Sequence, residues 1–534
     1  MVRNKIIHLI WPPVIIYIVY LLSKLIWFDN LSSFANDSVH YLVMARHFSP
    51  WSNESSAISS AWLLQDFPPF FPWLLALSGA AHSLLYAHLL IAIIGLISLY
   101  FYFRLSKKWL NHQVWAFCPA LIFALSPGFL LGLQGILSEP LYLLLVLIFM
   151  LLYEPTQKKS TSLIVMSGLL LAAILLTRTV GIALCLAILA QAFFSSISQK
   201  KIQYQSILIV VLSLCIYLLF MAILGPEKES HYLAVLLQYL SADGINEQVP
   251  GASFYSSYAS QLSNLLDAWT SFWLIYWGTD VYSANYYVIM LMLLVSMTGL
   301  IIRLLENKYD AWYVFFYILI LMVWPHPGQM FRLVFPVMPI LLIYASYAII
   351  KLINRAKPDT KKDLVSPVFY LLVLTAILPS HAFIHARAAI ASEMQMVPVN
   401  QTFLRIDLAD ATRHLVLQNQ MLKDFKRIKD SVSADEKVMY FLPSYLAILS
   451  DRSGEKAPSP IESIKYRQIA RESGARYIFL TRLHPRNTLL SYSGFQGKES
   501  LTGWTQQLWC SQTKDGDLTS CLYKVLRPQG QAEK

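Results

Sequence analysis

Residues 34–48, FANDSVHYLVMARHF, follow an apolar run that begins near the N-terminus. They place an acid, Asp37, where such a run should be leaving a membrane. Asp or Asn at a helix start caps free backbone N–H groups and suits the positive end of the helix dipole. An acid at that edge is equally a candidate base, and what flanks it decides between the two.

The flanks are those of a polytopic membrane protein. Of 534 residues, 56% are hydrophobic and 14% charged, and the mean hydropathy is +0.50, outside the balance of soluble globular domains. Charges are rare in the long apolar runs and gather in short clusters between them, because hydrocarbon excludes ions. The net charge of +11 is scattered rather than gathered into a stripe or a nucleic-acid motif, which argues against nucleic acid as a partner. Arg3 and Lys5 precede an apolar stretch with no small-residue cleavage site after it, so the first span is expected to stay.

A spanning helix needs roughly 20 mostly apolar residues. About eleven such runs are expected, near 7–28, 84–103, 112–127, 139–153, 161–177, 180–197, 205–224, 282–302, 311–324, 333–352 and 365–384. The basic clusters test the order: Arg3/Lys5, Arg104/Lys107/Lys108, Lys158/Lys159, Lys200/Lys201, Arg303/Lys308, and Lys351 through Arg355 and Lys357 to Lys361/Lys362. All six fall on one side, which the positive-inside rule makes cytoplasmic. The opposite face then receives residues 29–68, 128–138, 225–281, 325–332 and everything after about 386. It also collects Asp37, Asp66, Glu139, Arg178, His326 and Arg332.

Residues 69–81 are too short to span beside 84–103 and read as an interfacial helix whose first turn takes Pro68-Pro69. Residues 1–385 form the expected membrane domain, with outer loops at 29–83 and 225–281. Residues 386–534 read as an extracytoplasmic α/β domain. There Phe403, Leu404, Leu408, Leu415, Leu422 and Phe425 have helical spacing, KVMYFLP and ARYIFLTR read as buried strands, and IESIKYRQIARESG reads as a helix ended by Gly474. Cys510 and Cys521 flank an Asp-Gly turn signal, a hairpin able to join them in a disulfide if the compartment is oxidising. Cys118, Cys185 and Cys215 stand alone in apolar runs, where small buried hydrophobes are expected.

Several motifs occur in a familiar order: NDSVHYLVMARHF, DFPPFFPWLLAL, ALSPGFLLGLQGILSEPLYLLLVL, LLTRTVGIAL and RLVFPVMPILL. Over residues 1 to about 385 the chain resembles membrane glycosyltransferases of the GT-C fold, in the branch of the protein O-mannosyltransferases and the lipid A aminoarabinose transferases. The resemblance implies a sugar donor on polyprenyl phosphate and, generally, inverting transfer on the extracytoplasmic face. The acceptor would be a cell-surface glycan, lipid or protein, and the home a bacterial inner membrane. The family pattern Asp-x-x-x-Tyr-x-x-x-Ala falls on Asp37, Tyr41 and Ala45, making Asp37 the base that takes the acceptor's proton. Ser38 stands where many relatives have a second carboxylate.

Each candidate has a plainer role beside the chemical one. Asp37, Tyr41, Met44 and Phe48 share a helical face, an aromatic, partly dehydrated setting expected to raise the Asp37 pKa. Asp66 is a second acid or the cap of the helix near Pro69, and Glu139 a third acid, with Ser138 or Glu139 the cap before Pro140. Arg332 and Arg178 are candidates to grip the leaving phosphate, or else snorkel to headgroups. His326 is a candidate to join them, and Tyr41 and His40 to touch acceptor or sugar. Aromatics in YSSYASQLSNLLDAWTSFWLIYWGTD are candidates to stack on sugar rings. No cofactor is called for, and a divalent metal is compatible with these residues but not indicated by them. Two rivals stand beside the transferase: a non-catalytic transporter or assembly protein for lipid-linked glycans, and a glycan polymerase or ligase using a pyrophosphate-linked donor.

Overall fold

The computed structural model describes residues 2–25, 36–51, 53–63, 65, 67–154, 160–200, 202–224, 254–274, 283–324, 329–356, 362–394, 408–457, 463–481, 501–512, 516 and 518–526. Asp66, His326, Lys158, Lys159, Phe403 and Leu404 lie outside them. Helices α1 Val2–Leu25, α2 Asn36–His47, α3 Ser56–Trp62, α4 Phe70–Leu77, α5 Leu84–Leu110, α6 Gln113–Leu125, α7 Pro127–Gly132 and α8 Glu139–Leu152 come first. Next are α9 Thr161–Thr177, α10 Ile182–Gln199, α11 Tyr204–Leu224, α12 Phe254–Trp273, α13 Ala284–Leu305, α14 Tyr309–Met322, α15 Met330–Leu333, α16 Met338–Ala356 and α17 Lys362–Met394.

Four of the described helices are long and apolar enough to cross a membrane: Leu84–Leu110, Thr179–Ser198, Tyr204–Ile223 and Ala284–Leu305. Seven shorter apolar helices accompany them, and the chain is an integral membrane protein. Large apolar side chains such as Leu208, Leu218, Ile223, Leu294 and Leu305 stay exposed on these helices, as a lipid-facing surface requires. Residues 69–82 form α4 and a short turn of 3-10 helix at Ala80–His82, with Pro69 as the N-cap of α4.

Several basic residues expected in loops are built into helix ends instead. Arg104, Lys107 and Lys108 lie within α5, the lysines in its last turn, where the dipole favours cations. Arg303 is buried rather than solvated. Its Nε and Nη2 donate to the two oxygens of Asp310 at 2.7 Å each, and its guanidinium lies 4.5 Å from the Trp109 ring centre. Lys108 reaches Leu151 O and Glu154, so this basic end of the bundle coincides with the C-terminal end of α8. Glu139, at the other end of α8, is about 21 Å away at 1.5 Å per residue.

Helix α13 meets α16 through Gly299, where a Cβ would collide with the backbone carbonyl of Tyr344. Backbone gives way less easily than a side chain. Gly299→Ala is therefore expected to cost about 1–3 kcal/mol, measured as a lowered unfolding temperature in detergent.

The composition change at 385 does not coincide with a helix end, because α17 continues to Met394. Its 33 residues rise about 50 Å, longer than a membrane needs. After α18 Leu408–Ser431 come β1 Val438–Tyr440, α19 Pro443–Leu449, β2 Gly454–Lys456, α20 Ser463–Glu472, β3 Tyr477–Thr481, β4 Thr505–Gln512 and β5 Leu518–Val525. They form one sheet in the order β2-β1-β3-β5-β4, parallel from β2 to β3 and antiparallel across β3, β5 and β4. Alternation splits the strands between two covered faces. Val438, Tyr440, Tyr477 and Phe479 join the main core with Phe425 of α18, whereas Met439, Ile478 and Leu480 pack with Tyr466 and Ala470 of α20. Both faces being covered explains why these strands read as unbroken apolar runs. Cys510 and Cys521 are register partners on β4 and β5 and are joined in a disulfide.

Candidate active site

Four helix ends meet at the end of the bundle opposite Arg303. Helix α2 brings Asp37 in its first turn, and α8 starts at Glu139 with Pro140 behind it. Arg178 stands in extended backbone where α9 stops. Arg332 rides on α15, the one-turn helix before α16. Because α15 is only four residues long, Arg332 sits on a corner rather than along a span.

The four charges form a chain. Arg332 Nη2 donates to Asp37 Oδ2 at 2.6 Å, and its Nε lies 2.8 Å from Glu139 Oε1. Arg178 Nη1 lies 2.8 Å from the same Glu139 oxygen and donates to Ser138 Oγ at 3.1 Å. Ser138 Oγ is in turn 2.9 Å from the Tyr41 hydroxyl, and Tyr41 packs against Phe67 and Phe71. The Ser138 hydroxyl therefore serves the cluster, and α8 has no side-chain cap there.

Exposure separates the two acids. The Glu139 side chain is 3% exposed and the Asp37 side chain 17%, so Glu139 is enclosed between two arginines and Asp37 is the one an incoming molecule can reach. Glu139 has ion-pair distances but no well-aligned hydrogen bond to either oxygen, which leaves its pairing electrostatic. Burial pushes the Asp37 carboxyl up, but Arg332 above all, with His40 and Arg178 behind it, outweighs burial and holds it below its ordinary value. This reverses the expected upward shift, because the aromatic face of α2 lies beside the carboxylate while a guanidinium lies against it. Burial works against both arginines, yet Glu139 for Arg178, and Asp37 with Glu139 for Arg332, hold them firmly protonated.

Asp37 lies inside α2 with its carboxylate turned to Arg332, rather than serving as the cap. Of the proposed acids and cations, Asp37, Glu139, Arg178 and Arg332 come together with Tyr41. His40 stands one turn on from Asp37 and binds Gln65, with 2.5 Å between Nδ1 and Oε1. Phe272 and Trp273 of the aromatic segment are fully buried and Trp269 nearly so, which makes these rings core rather than sugar platforms. Among the described residues no group of three or more His, Cys, Asp or Glu side chains is gathered. Gln65, Ser138 as a hydrogen-bond partner, and Ser444 with Tyr445 on α19 were not expected at the site. LPSYLAIL, with Pro443 in the first turn, carries a local helix-start signal, but nothing in it announces a contact with α2.

No protein-family profile matches the chain, and no curated protein matches it. Among solved structures it is similar to ArnT from Cupriavidus metallidurans, at 12% identity over 97% of this chain and 98% of that one, with a TM-score of 0.49. It is likewise similar to the oligosaccharyltransferase AglB from Archaeoglobus fulgidus, at 12% identity over 98% of this chain and 75% of that one, with a TM-score of 0.49. Both are GT-C fold membrane glycosyltransferases.

Proposed function

We propose that the chain is a GT-C type glycosyltransferase that moves a sugar from a polyprenyl-phosphate carrier to an acceptor outside the cytoplasm. The observation that carries this reading is the partly buried chain Asp37–Arg332–Glu139–Arg178 at the end of the bundle away from the basic residues. In the accompanying topology about eleven helices cross, the N-terminus and basic end face the cytoplasm of a bacterial inner membrane, and residues 386–534 lie outside. A disulfide in that region suits an oxidising compartment.

Chemically, the acceptor oxygen bonds to the anomeric carbon as the bond from that carbon to the phosphate oxygen breaks. The electron pair leaves with the phosphate, and the acceptor's proton goes to Asp37. Arg332 and Arg178 oppose the charge that develops on the leaving group, the kind of fixed electrostatic aid that dominates such transfers. Glu139 holds both guanidiniums in place. ArnT has been solved with undecaprenyl phosphate and AglB with a dolichol-phosphate, ligands of the lipid-monophosphate class proposed here.

Mass spectrometry of surface glycans and glycolipids from cells with and without the protein is the direct test. A sugar missing in its absence would identify donor and acceptor, and an unchanged profile would remove the transferase reading. Comparing monophosphate with pyrophosphate carriers in isolated membranes separates this transfer from a polymerase or ligase.

A further inference from the structure

A polar group beside the charged cluster has no part in the chemistry above, and one of its members comes from nearly 400 residues along the chain. Gln65 is fully buried. Its amide nitrogen donates to Ala61 O at 2.6 Å and to Ser444 Oγ at 3.2 Å, and its oxygen lies 2.5 Å from His40 Nδ1. The Ala61 carbonyl, which can only accept, settles which way the amide faces. An amide oxygen only accepts, so Nδ1 of His40 carries hydrogen, and in the neutral ring Nε2 is the accepting nitrogen. Ser444 Oγ is itself 3.3 Å from Nδ1, beside the same N–H.

Ser444 is held there by packing. Ala447 of α19 is buried with Val43 of α2 and with Ala57, Ile58 and Ala61 of α3. The next residue, Tyr445, is buried, and burial, then Tyr440 and Asp37, push its phenol up, keeping it a neutral donor near that carboxylate. His40 follows Asp37 by three residues on α2, a spacing that makes two side chains neighbours on one helix face.

We propose that Gln65 and Ser444 are positioning residues that hold the His40 ring, with its proton on Nδ1, one turn from Asp37, so that the C-terminal region is part of the transferase centre. This rests on the transferase reading. The ring so fixed lies one turn from the carboxylate that takes the acceptor's proton, and freeing it is expected to disturb that base.

Two measurements on the full chain test it. The first is 15N spectroscopy of histidine-labelled protein in detergent, with the His40 signals assigned by their loss in His40→Asn. The wild type is expected to show the Nδ1–H form, Gln65→Leu and Ser444→Ala a mixture, and Ser444→Thr the wild-type pattern. The second is the initial rate of product formation, read by mass spectrometry, when purified protein is added to washed membranes of cells lacking it, which hold their own donor and acceptor. Ser444→Ala should slow this about fivefold and Gln65→Leu ten- to a hundredfold, in line with losing one or several buried hydrogen bonds, while Ser444→Thr stays near wild type. Binding of undecaprenyl phosphate, measured separately, should remain within twofold for all three, which also shows that they fold. Unchanged rates and tautomer in Gln65→Leu and Ser444→Ala, or an Nε2–H ring in the wild type, would overturn the inference. If Asp37→Asn is inactive while Gln65→Leu and Ser444→Ala transfer at the wild-type rate, the inference alone fails; if Asp37→Asn is fully active, the reading beneath it fails as well.

Discussion

Asp37→Asn is expected to lower the transfer rate by about 10²–10⁴-fold, the usual worth of a positioned acid or base, while the protein still inserts and folds. An amide keeps the shape and can accept one hydrogen bond from Arg332, but it cannot take the acceptor's proton. The check is the membrane assay with the variant at matched abundance, together with its elution as a single species in detergent. Full activity would remove the catalytic role. The same pair makes a claim about acid. The folded-state pKa of Asp37 is depressed, so its contribution to stability is present above the unfolded pKa, about 3.9, and is lost as pH falls through the folded value. The gap in unfolding temperature between wild type and Asp37→Asn should therefore be open at pH 7 and close on acidification below about 4.

Arg332→Ala should be the most damaging single change to the site. It strips the guanidinium shared by Asp37 and Glu139, and breaking a buried ion pair from one side typically costs about 3–5 kcal/mol because the partner charge stays behind. Glu139 keeps Arg178, which tempers the loss. For function, loss of charge-assisted contacts to phosphate is expected to weaken undecaprenyl phosphate binding about 10–100-fold and to abolish measurable transfer. Arg332→Lys should bind the lipid phosphate at an intermediate level, since a point charge remains but the planar fork is gone. Removing Asp37 in the Arg332→Ala background should cost less stability than removing it alone, with a coupling of about 0.5–3 kcal/mol. Simple additivity in that cycle would mean that the 2.6 Å contact contributes nothing.

The residues that come together at the site were legible because each breaks an apolar run. Asp37, Glu139, Arg178 and Arg332 are conspicuous where hydrocarbon should be, and that is a local signal. Their pairing was not legible. Arginines read as phosphate grips are already held by carboxylates in the resting molecule, and a partner 295 residues away in sequence leaves no trace in spacing. The downward shift of Asp37 follows from that same unseen partner. In the C-terminal region the strands around Met439 and Ile478 and the cysteine hairpin were readable from alternation and turn chemistry. The three-residue strand β2 was not, since Gly454–Lys456 carries no apolar pattern. Arg303 misled in the opposite sense: a cation between two apolar runs looks like a loop marker, and only the fold reveals Asp310 and Trp109 around it.

Glu139, standing between two arginines, also bears on what it means for a ligand to arrive. Two carboxylates and two guanidiniums cancel, so the resting centre is a closed internal salt with no need of ions from the medium. An anionic guest would enter by exchange, taking over a cation's contacts from a carboxylate, and on leaving would hand them back. Occupancy would then be a swap between protein and guest, nearly constant in the number of ion pairs, and the centre would return to rest by itself after each visit.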